Sequence, residues 1–187
     1  MKKFLFLSLA LLFFSQAFAQ SKFEPQVRAT FDAGVDHDKN LSFGADFVAG
    51  YRISPNIRIG AGAGISYVNL LYEDAHFSSS MIFHDKYKES AAYVPIFADA
   101  KFNFTSGTVS PFFNLDLGYS IFIPCSDYAK ENKLGFFASP SFGCDFNIGS
   151  GELFVQVGYK YQVRKCNLWT DTKGDYNQIT VGVGYQF

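Results

Sequence analysis

The sequence predicts an all-β protein: a single eight-stranded antiparallel transmembrane β-barrel, an up-and-down meander preceded by a cleaved signal peptide. Three observations predict it. The chain ends in Asn177-Gln-Ile-Thr-Val-Gly-Val-Gly-Tyr-Gln-Phe187, with Ile179, Val181, Val183, Tyr185 and Phe187 on one face and Gln178, Thr180, Gly182, Gly184 and Gln186 on the other. A strict period of two with an aromatic terminus suits a closing strand that meets lipid on one side and a packed interior on the other. The same alternation recurs along the chain, and the connections between the alternating segments are short and long in turn.

The elements follow in order. Met1-Lys-Lys-Phe-Leu-Phe-Leu-Ser-Leu-Ala-Leu-Leu-Phe-Phe-Ser-Gln-Ala-Phe-Ala19 has a charged start, an apolar stretch from Phe4 to Phe14 and a small-x-small end at Ala17-Phe18-Ala19. Residues 1–19 therefore read as a signal peptide and Gln20 as the mature N-terminus. The apolar stretch is too short for a spanning helix, which needs roughly 20 residues. Residues 20–187 then form one barrel domain. Its apolar stripes are Val27 to Val35, Leu41 to Ile53, Ile57 to Tyr67, Val94 to Phe104, Phe113 to Ile121, Leu134 to Ile148, Leu153 to Val163 and the closing strand.

Ser54-Pro-Asn56, Thr105-Ser-Gly-Thr108 and Gly149-Ser-Gly151 are tight turns carrying chain-breaking residues. Asp36 to Asn40, Asn69 to Ala91, Phe122 to Lys133 and Arg164 to Asp175 are polar connections, all but the first of them long. Membrane barrels pair short periplasmic turns with longer external loops, and an even strand number puts both termini in the periplasm.

Charge decides which face is which. No stripe residue is charged, whereas Arg28, Asp32, Asp46, Arg52, Arg58, Asp99, Lys101, Asp116, Asp145, Glu152 and Lys160 all fall on the opposite face, together with most of the glycines. A soluble calyx would turn those charges to water and give the glycines no reason to share their face. In a narrow eight-strand lumen, side chains fill the interior and glycines opposite long Arg and Lys side chains make room for them. Five cations against six acids form a nearly self-neutral lumen charge network, as buried charges require. On the outer surface an Arg or Lys would cost roughly 2–4 kcal/mol at the bilayer midplane. Phe104, Phe146, Tyr185 and Phe187 near the turns, and Tyr67, Tyr119 and Tyr161 near the loops, fit two interfacial girdles. Composition agrees: 23 Phe and 11 Tyr coexist with 18% charged residues. A net charge of −1 gives no case for nucleic acid.

Tyr93-Val-Pro-Ile-Phe-Ala-Asp-Ala-Lys-Phe-Asn-Phe104, Ser110-Pro-Phe-Phe-Asn-Leu-Asp-Leu-Gly-Tyr119, Ser139-Pro-Ser-Phe-Gly-Cys-Asp-Phe146 and Gly182-Val-Gly-Tyr-Gln-Phe187 resemble the outer-membrane protein β-barrel domain family, the small OmpA/OmpX-like barrels. The resemblance covers the mature chain. It implies Sec export, outer-membrane lipid as surroundings, and insertion by the outer-membrane assembly machinery through a C-terminal signal at Tyr185 and Phe187. It also implies exposed loops for an external ligand or host surface.

The family shares no catalytic residues, but some such barrels act on lipid A, so chemistry has to be weighed. His37, His76 and His84 all fall in the expected external connections, and no expected strand carries a His. Ser78, Ser79 and Ser80 near His84 read as a solvated loop tip rather than a nucleophile–base pair. Asp36-His37-Asp38 reads as a hydrated hairpin rather than a metal site. Cys125 and Cys166 lie in separate external loops of an oxidising compartment and could form a disulfide, with Cys144 a small apolar residue on the lipid stripe. The reading is a non-enzymatic outer-membrane protein with a filled lumen, no cofactor and no metal. A lipid A or phospholipid enzyme and a narrow channel are the alternatives.

Overall fold

A computed structural model describes residues 22–35, 40–78, 81–124, 132–149, 151–166 and 175–187, with backbone placement alone for 70–78, 81–90, 124, 132–134 and 164–166. The strands are β1 (Phe23–Gly34), β2 (Leu41–Ser54), β3 (Ile57–Ser78), β4 (Met81–Asn103), β5 (Val109–Pro124), β6 (Asn132–Asn147), β7 (Glu152–Cys166) and β8 (Tyr176–Gln186). Each pairs antiparallel with its sequence neighbour, and β1 pairs with β8, so the sheet closes on itself. The expected signal peptide at 1–19 lies outside the described residues.

Alternation sets the wall. Phe31, Phe43, Ile65, Ile96, Tyr119, Phe142, Val157 and Val181 are each about half-exposed on the outer face, while their neighbours in sequence turn inward. Tyr185 packs edge-on against Phe187 with ring centroids 4.8 Å apart, and Phe102 against Phe104 at 5.4 Å, both at the turn end. Phe43 and Tyr67 meet at 5.4 Å toward the loop end.

The turns have local causes. Gly149 takes φ +95°, a conformation that glycine adopts without a Cβ clash, and the Asn147 side-chain oxygen accepts its N–H at 3.0 Å. The Ser54 hydroxyl oxygen accepts the Ile57 N–H at 3.1 Å across the first turn.

One expectation is corrected. Asn69 to Ala91 is not a polar loop: β3 continues to Ser78 and β4 begins at Met81, in register from Leu70↔Glu89 to Ser78↔Met81. The last β2–β3 pair is Leu41↔Asn69 and the last β4–β5 pair is Ala91↔Pro124. Past that level the two strands pair, among the described residues, only with each other, and nine residues at about 3.3 Å each carry the ribbon roughly 30 Å beyond the rim. His76 and His84 therefore sit on strands, opposite Phe83 and Ala75. A run such as Leu70-Leu71-Tyr72-Glu73-Asp74 breaks the apolar–polar alternation because a ribbon outside the wall has no lipid-facing and lumen-facing sides to distinguish.

Candidate functional site

The interior of the barrel is where the chemically active groups converge, in layers. At the turn end, Arg52 on β2 pairs with Glu24 on β1 and lies 3.7 Å from Glu152 on β7. Gln186 on β8 donates from Nε2 to both Glu24 and Glu152 at 3.1 Å, and its Oε1 accepts from Lys101 Nζ at 3.4 Å. Lys101 Nζ stands 2.5 Å from Asp145, whose other oxygen accepts from Asn103 at 2.6 Å. Arg58 Nη2 is 2.7 Å from Asp99.

At mid-height, Arg28 bridges two acids from different strands: Nε to Asp46 at 2.9 Å and Nη2 to Asp116 at 2.7 Å. Nearer the loops, Lys160 Nζ reaches Asp32 at 2.8 Å and the Tyr93 hydroxyl at 3.0 Å, while Ser42 donates to Asp32 at 3.0 Å. Above them Ser120 donates to Gln162, and Gln162 donates in turn to the Gly135 carbonyl, both at 2.9 Å. Val68, Ala91, Tyr93 and Tyr176, with Phe122 against them, form an apolar cluster across the loop-end mouth.

All eleven charged residues expected in the lumen face inward, and each has an ion-pair partner. Their surroundings differ. The Arg58 side chain is 1% exposed and that of Arg52 26%, so only some of these pairs are fully withdrawn from water. Glu24 is an additional inward acid, placed before the first apolar stripe and next to Pro25, where no alternation points to it. With Glu24 the described lumen holds seven acids against five cations.

The inward aromatics carry no signal in the apolar–polar alternation. Phe97, Phe112, Phe137 and Phe154 are buried, and the cations lie over their rings: Arg28 at 4.9 Å from Phe97, Lys101 at 4.2 Å from Phe112, Lys160 at 5.6 Å from Phe137. Each ring face offsets part of the lost hydration of its cation. The role expected for the glycines is corrected with them. Gly50 sits against a cation, Arg58, whereas Gly62, Gly143 and Gly184 sit against the ring edges of Phe97, Phe112 and Phe154. Flat rings standing inside a narrow barrel need a neighbour without a side chain more than flexible cations do.

Cys144 is half-buried and unpaired. Cys125 lies outside the described residues, and Cys166 is placed by its backbone alone, opposite Asn132. Asp36, His37 and Asp38 also fall outside, as do Ser79 and Ser80. Among the described residues no group of three or more His, Cys, Asp or Glu side chains is arranged to hold a metal ion.

The model of the outer membrane protein beta-barrel domain family matches residues 5–187. Among solved structures, the outer membrane enzyme PagL is similar at a TM-score of 0.51 and 12% identity, over 85% of this chain and 97% of its own. Neisserial surface protein A is similar at 0.50 and 16% identity, over 88% and 95%. The N-terminal β-barrel domain of Pseudomonas aeruginosa OprF aligns over 90% of this chain and 100% of its own at 12% identity and a TM-score of 0.45. At these identities the likeness is one of fold. No curated protein sequence matches the chain.

Proposed function

The chain belongs to the outer membrane protein beta-barrel domain family, and on that premise we propose that it is a non-enzymatic barrel whose loop end contacts an external ligand or host surface. Both termini then stand on the periplasmic side after Sec export, and the lumen charge network stabilises the wall rather than handling a substrate. The observation that carries this reading is the filled interior. Among the described residues the lumen is occupied by ion pairs and stacked rings, a cavity at its middle measures about 20 Å³, and the apolar cluster of Val68, Ala91, Tyr93 and Tyr176 spans its loop-end mouth. An ion path would have to displace buried charged pairs. Among the described residues the long β3–β4 ribbon reaches furthest from the wall, which suits a contact surface.

Lipid A and phospholipids from a deletion strain are expected to match the parent by mass spectrometry, and the purified barrel is expected to give no conductance steps in planar bilayers. Adhesion of the expressing strain to host-cell monolayers should fall when residues 70–90 are replaced by a short turn. An altered acylation pattern in the deletion strain would instead favour the enzyme.

The assembly role of Tyr185 and Phe187 is part of the same proposal. Phe187 donates its N–H to the Pro25 carbonyl at 2.9 Å and packs on Tyr185, while the clamp made by Gln186 faces the other way, into the lumen. Deleting Phe187 should therefore leave the clamp residues in place yet lower the folded fraction in outer-membrane preparations, read by heat-modifiable gel mobility. An unchanged folded fraction would remove Phe187 from the assembly signal.

A further inference from the structure

We propose that Asp99 and Asp116 hold one proton between them, so that the middle of the lumen contains a carboxylic acid bound to a carboxylate. β4 and β5 set the two acids directly opposite each other. Asn103 on β4 gives its main-chain N–H to Asn56, just before β3. Asp99, an even number of residues earlier, turns its main-chain groups the same way. Asp99 and Asp116 are therefore a non-hydrogen-bonded pair, the kind whose Cα atoms approach to about 4.5 Å and whose side chains stand closest. Both are buried, and their carboxyl groups come within hydrogen-bonding reach of each other. Two ionised carboxylates so placed would repel, whereas a pair that shares a proton attracts.

The charges around the pair call for that proton. Arg58 on β3 lies 2.7 Å from Asp99, and Arg28 on β1 lies 2.7 Å from Asp116. Asp46 on β2 takes the other side of Arg28 at 2.9 Å. Two cations thus meet three acids. The neighbouring layers have no cation to spare, since Lys101 is matched by Asp145 toward the turns and Lys160 by Asp32 toward the loops. One proton makes the middle layer neutral, as buried charge requires.

The hydrogen bonds give the proton a place. Asp116 accepts from Asn114 through Oδ1 and from Arg28 through Oδ2. Asp99 accepts from Arg58 through Oδ1, and its buried Oδ2 has no hydrogen-bond partner. A hydrogen carried on the facing carboxyl supplies the donor that this oxygen lacks. A metal ion is the other means of bringing carboxylates together, and among the described residues no three Asp, Glu, His or Cys side chains are grouped to hold one.

The test uses the full mature barrel in detergent micelles at neutral pH. Its infrared spectrum is expected to show the carbonyl stretch of a protonated carboxylic acid. Asp99→Asn and Asp116→Asn should each remove that band, because an amide then supplies the missing donor, and Glu152→Gln at the turn-end mouth should leave it. A second readout is the urea midpoint. Asp116→Asn should hold it where it is, whereas Asp145→Asn, which strands Lys101, should lower it by roughly 1–2 M. Absence of the band from the unsubstituted barrel would overturn the proposal, as would its persistence in both asparagine variants or its loss in Glu152→Gln. Equal falls in midpoint for D116N and D145N would do the same. If an asparagine variant does not fold, the spectra of the unsubstituted barrel and of Glu152→Gln still decide.

Discussion

Replacing Arg28 by Leu is expected to cause the largest loss of stability of any single lumen substitution, with a fall in the urea midpoint of the detergent-folded barrel of roughly 2 M. Arg28 is buried and spans Asp46 and Asp116, so its removal strands two carboxylates in a lumen that already carries more acids than cations. Leaving a buried charge unpaired costs about 3–5 kcal/mol, and urea slopes of about 1–3 kcal/mol/M turn that into a shift of molar size. Arg52→Leu is the contrasting case. Its side chain is 26% exposed at the turn-end mouth, water can reach the acids it leaves, and the expected loss is about 1 kcal/mol or less. Pairing Arg28→Leu with Asp46→Asn should recover part of the loss, because one stranded charge is removed with the cation. Equal midpoints for R28L and R52L would show that the inward charges are not withdrawn from water.

The second large effect concerns Phe97, which stands between Gly62 on β3 and Gly118 on β5, in register with both. A methyl group at Gly62 would meet the tip of the Phe97 ring, whereas one at Gly118 would meet the Ile96 carbonyl oxygen and the Cβ and Cα of Phe97. Gly62→Ala should therefore cost about 1–3 kcal/mol by overpacking, and Gly118→Ala should do greater damage because main chain must move. The two diverge in a Phe97→Leu background. Shortening the ring is expected to make Gly62→Ala nearly neutral and to leave Gly118→Ala as harmful as before, read as the heat-modifiable folded fraction. Failure to rescue Gly62→Ala would mean that the ring does not lie across Gly62, and rescue of Gly118→Ala would mean that its clash is with the ring rather than with main chain.

The wall was legible in the sequence because lipid and lumen make opposite demands on successive residues, and stretches such as Ile57 to Tyr67 obey both. Where only one demand operates, the signal fades. The ribbon beyond Asn69 carries no such alternation, so its strands read as a loop. Glu24 is not legible as an inward acid because it precedes the first stripe and adjoins Pro25. Phe112 beside Phe113 and Phe136 beside Phe137 look like one apolar stripe, although the members of each pair face opposite ways. The inward charges could be identified one by one, but not their partners. That Arg28 meets Asp46 and Asp116, and that Gln186 gathers Glu24, Glu152 and Lys101, depends on register around the ring.

Closure of that ring shapes the order of folding events. Every strand pairing except one joins neighbours in sequence, so hairpins can zip in succession with small loop entropy. The exception brings Gln186 to Glu24, 162 residues away. Set against a four-residue hairpin, bridging that separation in a loose chain would cost roughly 3 kcal/mol more in loop entropy. The sheet must therefore curl first and close last. Until it does, β1 and β8 are two open edges, each able to pair with another chain. The interval between the last hairpin and the seating of Gln186 is thus the period in which this barrel is most exposed to aggregation, and the speed of that single step governs how much of it survives.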